Sequence, residues 1–305
     1  MTDHLCLEVR NLTKYYRHAL ALDHIDLSLR EGKVYGFIGK NGAGKTTFIR
    51  MITGLAFPTS GDIALFGKRG EAELQKARRR IGALVEGPSL YPFMSAEEHL
   101  KSQQIQLGID DDAEIGRLLE LVGLGDAGEK KARHYSLGMK QRLGIAMSLI
   151  GDPDFLIWDE PINGLDPEGI REIRTLIRAL NKDMGKTLLI SSHLLGELEN
   201  TATDFIVIDR GRIVEEISKD ALASKRKNNV YLATSDDHKA LHLLRDAFPG
   251  VSLIGADDRL CLEDFGGDID EVSSLLAKHH VNIREMRSEK ESLEDYVFSE
   301  IGADQ

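Results

Sequence analysis

The sequence predicts an α/β fold with a largely parallel sheet, followed by a small α+β domain. Three observations predict it. Short apolar runs alternate with helix-length amphipathic segments through most of the chain, as when helices cover both faces of a parallel sheet. A glycine-rich stretch, Gly39-Lys40-Asn41-Gly42-Ala43-Gly44-Lys45-Thr46-Thr47, lies between an apolar run and a helix start. After the polar stretch Ser224-Lys225-Arg226-Lys227-Asn228-Asn229, which reads as a linker, the pattern restarts.

The elements follow in order. Residues 5–10 and 25–29 alternate apolar and polar, as half-buried strands do. Val34-Tyr35-Gly36-Phe37-Ile38 reads as a buried strand and residues 48–52 as the start of a helix. Residues 87–150 read mostly helical, with apolar spacings of three and four over 97–107, 111–121 and 138–150. Apolar runs at 155–158, 187–190 and 205–208 read as strands, and a helix over 168–180 separates the first two. Beyond the linker come a strand (230–233), a helix (237–247), two strands (251–254 and 259–262), a helix (269–279) and a strand (282–287). That is the split β-α-β order of ferredoxin-like domains. A last helix is expected over 292–301. The expected domains are 1–225 and 226–305.

The 305 residues leave room for one large domain and a smaller one. No apolar run approaches the ~18 residues of a membrane span, and no h-region follows Met1. The net charge of −11 is uneven: residues 226–305 hold 17 acidic and 9 basic side chains. Neither part offers the basic stripe of a nucleic-acid binder. The densest basic cluster, Lys76, Arg78, Arg79 and Arg80, reads as a solvated helix face. Cys6 and Cys261 have no metal-ligand spacing, so reduced, buried thiols in a cytoplasmic protein are expected.

The glycine stretch has the G-x-x-x-x-G-K-[ST] spacing of a phosphate-binding P-loop in its strand–loop–helix context. Gly39, Gly42 and Gly44 let the backbone turn, so that N–H groups around Asn41, Ala43 and Thr47 can point at a phosphate. The helix N-terminus adds partial positive charge. Lys45 can reach β- and γ-phosphates, and Thr46 can offer its hydroxyl to Mg²⁺. Hydrolysis also needs metal support and an oriented water. Phe155-Leu156-Ile157-Trp158-Asp159-Glu160 supplies both carboxylates at a strand's C-terminal end, the edge where open α/β sheets bind ligands. Asp159 would hold Mg²⁺ through water, and Glu160 would orient and help deprotonate the attacking water.

With these motifs in hand, residues 1–225 resemble the nucleotide-binding subunit of an ABC transporter, an ABC-type P-loop NTPase with a helical subdomain at about 87–150. Asn163-Gly164-Leu165-Asp166 is similar to that family's D-loop. His193 matches its switch histidine, which contacts γ-phosphate. Tyr16 matches the aromatic that stacks on adenine, with Tyr15 as the alternative. Tyr135-Ser136-Leu137-Gly138-Met139-Lys140-Gln141-Arg142 resembles the ABC signature. Leu137 and Met139 depart from the common pattern, while the phosphate donors Ser136 and Gly138 remain. The resemblance implies that this motif meets ATP bound by a second subunit, so that a head-to-tail homodimer encloses two ATPs. Glu86 stands where the family usually has Gln and is implied as a further Mg²⁺ or water ligand. Together with the Gly-Lys-Asn-Gly P-loop and the signature, it resembles the bacitracin-resistance and lantibiotic-immunity exporters.

The expected function is therefore an ATPase subunit powering a separate membrane permease that exports an antimicrobial peptide or other amphiphile. Its contact with the inner face of the cell membrane would run only through the permease, which residues 88–99 would receive. No nucleic-acid partner is expected. Two other classes are open to a chain of this kind. One is a soluble ABC ATPase acting on ribosomes or DNA; the single signature and the absence of room for a long coiled coil weigh against it. The other is an interaction module with a decayed site, and Lys45, Asp159, Glu160 and His193 weigh against that.

Overall fold

A computed structural model describes residues 4–17, 19–192, 195–254 and 259–297. The chain divides into two compact units, Met1–Lys219 and Asp220–Gln305. The first unit begins with β1 (Leu5–Tyr16) and β2 (Ala19–Arg30), an antiparallel pair that runs well beyond the predicted segments. Its outer half is half-exposed and polar, and register shifts at Val9/Leu12 and Lys14/Tyr15 break the apolar alternation that would have marked it. Next come β3 (Val34–Ile38), α1 (Lys45–Ile52), β4 (Ser60–Leu65), α2 (Glu71–Ala77) and β5 (Ile81–Leu84). Three helices follow: α3 (Ala96–Leu107), α4 (Asp112–Leu121) and α5 (Leu137–Leu149). Then β6 (Phe155–Asp159), α6 (Pro167–Lys182), β7 (Thr187–Ser192), α7 (Leu195–Glu199), β8 (Asp204–Asp209) and β9 (Arg212–Ser218) complete the unit.

The central sheet has the order β5-β6-β7-β3-β8-β9 and is parallel except for β9. A second, antiparallel sheet has the order β2-β1-β4. Between them lies a core built on Phe37, Phe48, Phe155, Leu12 and Leu29, each fully buried. β6 is buried at every position because it is paired on both sides, with β5 and β7. The helices are set by their caps. Ser95 and Glu98 form a capping box on α3, Asp111 caps α4, and Ser136 caps α5, which satisfies the first free N–H groups of each helix. In the basic cluster Lys76, Arg79 and Arg80 are exposed, as a solvated face would be, and surface ion pairs hold part of it. Arg78 pairs with Glu71, and Arg80 pairs with Asp154 at 2.6 Å while lying 3.7 Å from the centre of the Phe66 ring.

The second unit contains α8 (Lys219–Lys225, whose first residue lies in the first unit), β10 (Asn228–Thr234), α9 (Asp237–Ala247), β11 (Val251–Ile254), β12 (Arg259–Leu262), α10 (Ile269–Lys278) and β13 (Ile283–Lys290). Its sheet is antiparallel with the order β11-β12-β10-β13, and Val230, Leu232, Leu244, Leu260, Val272 and Leu276 form a separate core. The stretch expected as a linker is ordered. Ser224 and Lys225 end α8, and β10 already begins at Asn228. Its polar side chains make specific bonds: Asn228 donates to Phe265 O at 3.1 Å and accepts from Ser288 Oγ at 2.9 Å. The expected last helix shows one turn at 293–297, and its remainder lies outside the described residues.

Candidate functional site

The glycine-rich loop leaves β3 at its C-terminal end, between β7 and β8, and opens α1. The chain can turn here only with glycine at two points. A Cβ on Gly39 would lie 2.4 Å from Ile208 O, and Gly44 has φ +113 with Ala21 O 2.9 Å from any Cβ. Gly42 also has positive φ, but its Cβ position faces open space. α1 carries no side-chain cap and no acidic residue in its first turn. Its leading N–H groups and partial positive charge thus remain for an anion.

Lys45 is buried, and its Nζ donates to Gly39 O at 2.6 Å and Lys40 O at 3.5 Å. Among the described residues no carboxylate pairs with it, so a buried ammonium stands at the loop in need of a counter-charge. Thr46 Oγ1 donates to Asp159 Oδ2 at 2.8 Å, and Ser191 Oγ donates to Asp159 Oδ1 at 2.5 Å. Ser191 also accepts from Glu160 N, through Oγ at 3.0 Å and O at 3.2 Å. One serine at the end of β7 thereby fixes both predicted carboxylate residues at the end of β6. Glu160 (φ 52) and Glu86 (φ 57) both hold a left-handed backbone. Such strain costs about 1–3 kcal/mol and gathers at functional sites.

Glu86 faces the same helix. Its Oε1 lies 2.5 Å from Arg50 Nη2, and Arg50 lies four residues after Thr46, on the same face of α1. Glu86 holds the Arg50 guanidinium above its ordinary pKa, and the Tyr16 hydroxyl adds to this. Lys14 Nζ lies 4.9 Å from the centre of the Tyr16 ring. Tyr15 is tied through its N–H to Thr59 Oγ1 at 3.0 Å, and Tyr15 and Tyr16 are both exposed (50% and 41%).

The oxygen-only set of Thr46 and Asp159 suits Mg²⁺, which takes one or two protein oxygens and completes its shell with phosphate and water. Among the described residues no three His, Cys, Asp or Glu side chains form a dedicated metal cage. The uncapped helix, the open space at Gly42 and the unpaired Lys45 ammonium likewise fit a polyphosphate.

Ser136 and Gly138 lie elsewhere. Ser136 caps α5, accepting from Met139 N at 3.2 Å. With Gly138, Gly164, Leu165 and Asp166 it lines a cleft of about 640 Å³ that no residue of 39–47 lines. Within one chain, then, Thr46 of α1 bonds Asp159, Ser191 ties Asp159 to the Glu160 backbone, Glu86 pairs with Arg50 of α1, and Ser136 and Gly138 line a different cleft. His193 lies outside the described residues. Sequence reasoning missed Ser191 and Arg50. Their only signals were polarity at the end of an apolar strand and inside an apolar helix start.

The ABC transporter family matches residues 22–163. A bacitracin transport ATP-binding protein of Bacillus licheniformis is 38% identical over 97% of this chain and 97% of its own length. The chain belongs to the ABC transporter family. It is an ABC-type ATPase. A lantibiotic transport ATP-binding protein of Streptococcus pyogenes is 44% identical over 69% of this chain and 90% of its own. Among solved structures, the ATP-binding subunit of an ABC transporter is 31% identical, with a TM-score of 0.65 over 72% of this chain and 92% of its own. A dimeric ATP-binding cassette in a post-hydrolysis state, bound to ADP and Pi, also has a TM-score of 0.65, at 25% identity over 70% of this chain and 98% of its own. As a member of this family the chain binds ATP.

Proposed function

We propose that this chain is the ATP-hydrolysing subunit of an exporter, working with a separate membrane permease and moving an antimicrobial peptide or a comparable amphiphile. One observation carries the reading. The similarity to the bacitracin transport protein spans 97% of both chains. It covers the second unit as well as the ATP-binding first unit, so it is not confined to what all ABC ATPases share. No helix among the described residues is long and apolar enough to cross a membrane, which fits a permease made as another chain and a place at the inner face of the cell membrane. A groove of about 400 Å³ lined by Leu55, Val85, Pro88, Ser89, Leu107 and Met147 supports docking of a permease helix at the start of 88–99.

In this reading residues 1–225 form the ATP-binding domain and residues 226–305 a ferredoxin-like accessory domain. Tyr16 stacks on adenine. The backbone at Gly39, Asn41, Gly42, Ala43, Gly44 and Thr47 cradles the phosphates, and Lys45 pairs with the β- and γ-phosphates. Thr46 and Asp159, with Glu86, hold Mg²⁺, which when bound neutralises charge developing on the phosphates. Glu160 orients and deprotonates the attacking water, and His193 contacts γ-phosphate. Ser136 and Gly138 of a second copy, at the N-terminus of its α5, complete the site. Their separation from the P-loop within one chain supports this head-to-tail arrangement. ATP thus binds the closed pair better than the open one, and that difference drives the permease. Affinity purification of the tagged chain from detergent-solubilised membranes tests the assignment. An integral membrane protein should co-purify and stimulate its ATPase activity. Recovery with ribosomes or DNA instead would overturn it.

A further inference from the structure

Arg50 has no part in the site as read so far. It lies on the face of α1 that carries Thr46, and its Nη2 lies 2.5 Å from Glu86 Oε1. It therefore joins two elements beside the P-loop: the helix that the loop opens and the loop after β5.

A glutamate at position 86 has an electrostatic consequence. It adds a third carboxylate to Asp159 and Glu160 near a site built for a polyanion, where like charges oppose binding. Lys45 is one cation against that excess, and Arg50 is a second. The pair is open to solvent, with side chains 38% and 53% exposed. Ion pairs of that kind contribute little to fold stability. The contact is thus poorly explained as a staple of the fold and better explained by its effect on local charge.

We propose that Arg50 is a positioning residue for Glu86: it holds Oε1 and offsets the charge of the extra carboxylate while Oε2 remains for the Mg²⁺ shell, so that Mg-ATP binds with full affinity only while the two are paired. The proposal rests on the ATPase reading of the P-loop. Glutamate at position 86 and arginine at position 50 then act as a matched pair, and a neutral amide at 86 removes the need for the cation.

The test is equilibrium binding of a fluorescent ATP analogue to the full chain, with and without Mg²⁺. Circular dichroism and thermal unfolding verify that each variant is folded. Arg50→Gln should weaken Mg-nucleotide binding about fivefold, the upper size for a solvent-exposed ion pair. Arg50→Lys, which keeps the charge, should recover most of it. In a Glu86→Gln background, Arg50→Gln should cost less than about twofold. An unchanged affinity in Arg50→Gln overturns the proposal. So does an equal loss in both backgrounds, which would mark Arg50 as structural. Lys45→Ala separates the two levels of the argument: if it bound the analogue as well as the unaltered chain, the P-loop reading itself would fail, and this proposal with it.

Discussion

Ser191 lies fully buried with its hydroxyl between Asp159 and Glu160. Removing it leaves a buried carboxylate one hydrogen bond short. Ser191→Ala is therefore expected to destabilise the chain by about 1–3 kcal/mol and to raise the Mg²⁺ concentration needed for half-maximal turnover. Urea unfolding and a Mg²⁺ titration of the ATPase rate check both effects. For Glu160→Gln the expectation differs. ATP binding should persist while turnover falls by about 10²–10⁴, the contribution of a general base; turnover near the unaltered rate would remove Glu160 from that role. Cys6 is a further residue-scale case. Burial pushes its thiol up to about 12, and Cys261 is buried and shifted upward as well. A thiol reagent at pH 8 should leave both unlabelled in the native chain and label both after unfolding. The candidate residues Lys45, Thr46, Asp159 and Glu160 were legible at this scale because they stand in short motifs with fixed spacing. Arg50 and Ser191 were not, because their partners lie 36 and 32 residues away in sequence.

At the scale of elements, α5 joins the signature to the sheet. Ser136 caps its start, and Ser148 near its end accepts from the buried Trp158 Nε1 at 2.9 Å, one residue before Asp159. β5 meets the same helix so closely that a Cβ on Gly82 would lie 1.8 Å from Ser148 O. In the proposed function Ser136 has two separable duties, as the observed cap of α5 and as a γ-phosphate donor. Aspartate caps a helix as well as serine does, but its charge opposes a γ-phosphate. Ser136→Asp should keep the unfolding free energy within about 0.5 kcal/mol and abolish ATP-dependent association. Chemical denaturation and sedimentation velocity measure the two. The buried strands β3, β6, β7 and β8 and the helices of 96–149 were readable from apolar runs and spacing. β9 was not: as an edge strand paired only with β8, it buries Ile217 alone, so its sequence does not alternate. The polar run at 224–229 misled for the opposite reason, since its side chains are consumed in hydrogen bonds that sequence does not show.

At the scale of the molecule, the two units each hold a hydrophobic core of their own. A fragment of residues 1–219 should therefore unfold cooperatively and retain nucleotide binding, as calorimetry with and without ATP would show. The largest structural fact about the first unit is that its P-loop and its signature residues do not share a cleft. That separation is what the proposed pairing requires, with Lys45 and Ser136 serving one ATP from different chains. The most direct test mixes Lys45→Ala chains with Ser136→Ala chains, both carrying Glu160→Gln to suppress turnover, and measures ATP-dependent association by sedimentation or light scattering. Each variant alone should remain monomeric. The mixture should associate with one nucleotide bound, held by Lys45 of one chain and Ser136 of the other. A mixture that associates no more than either variant alone would contradict the account.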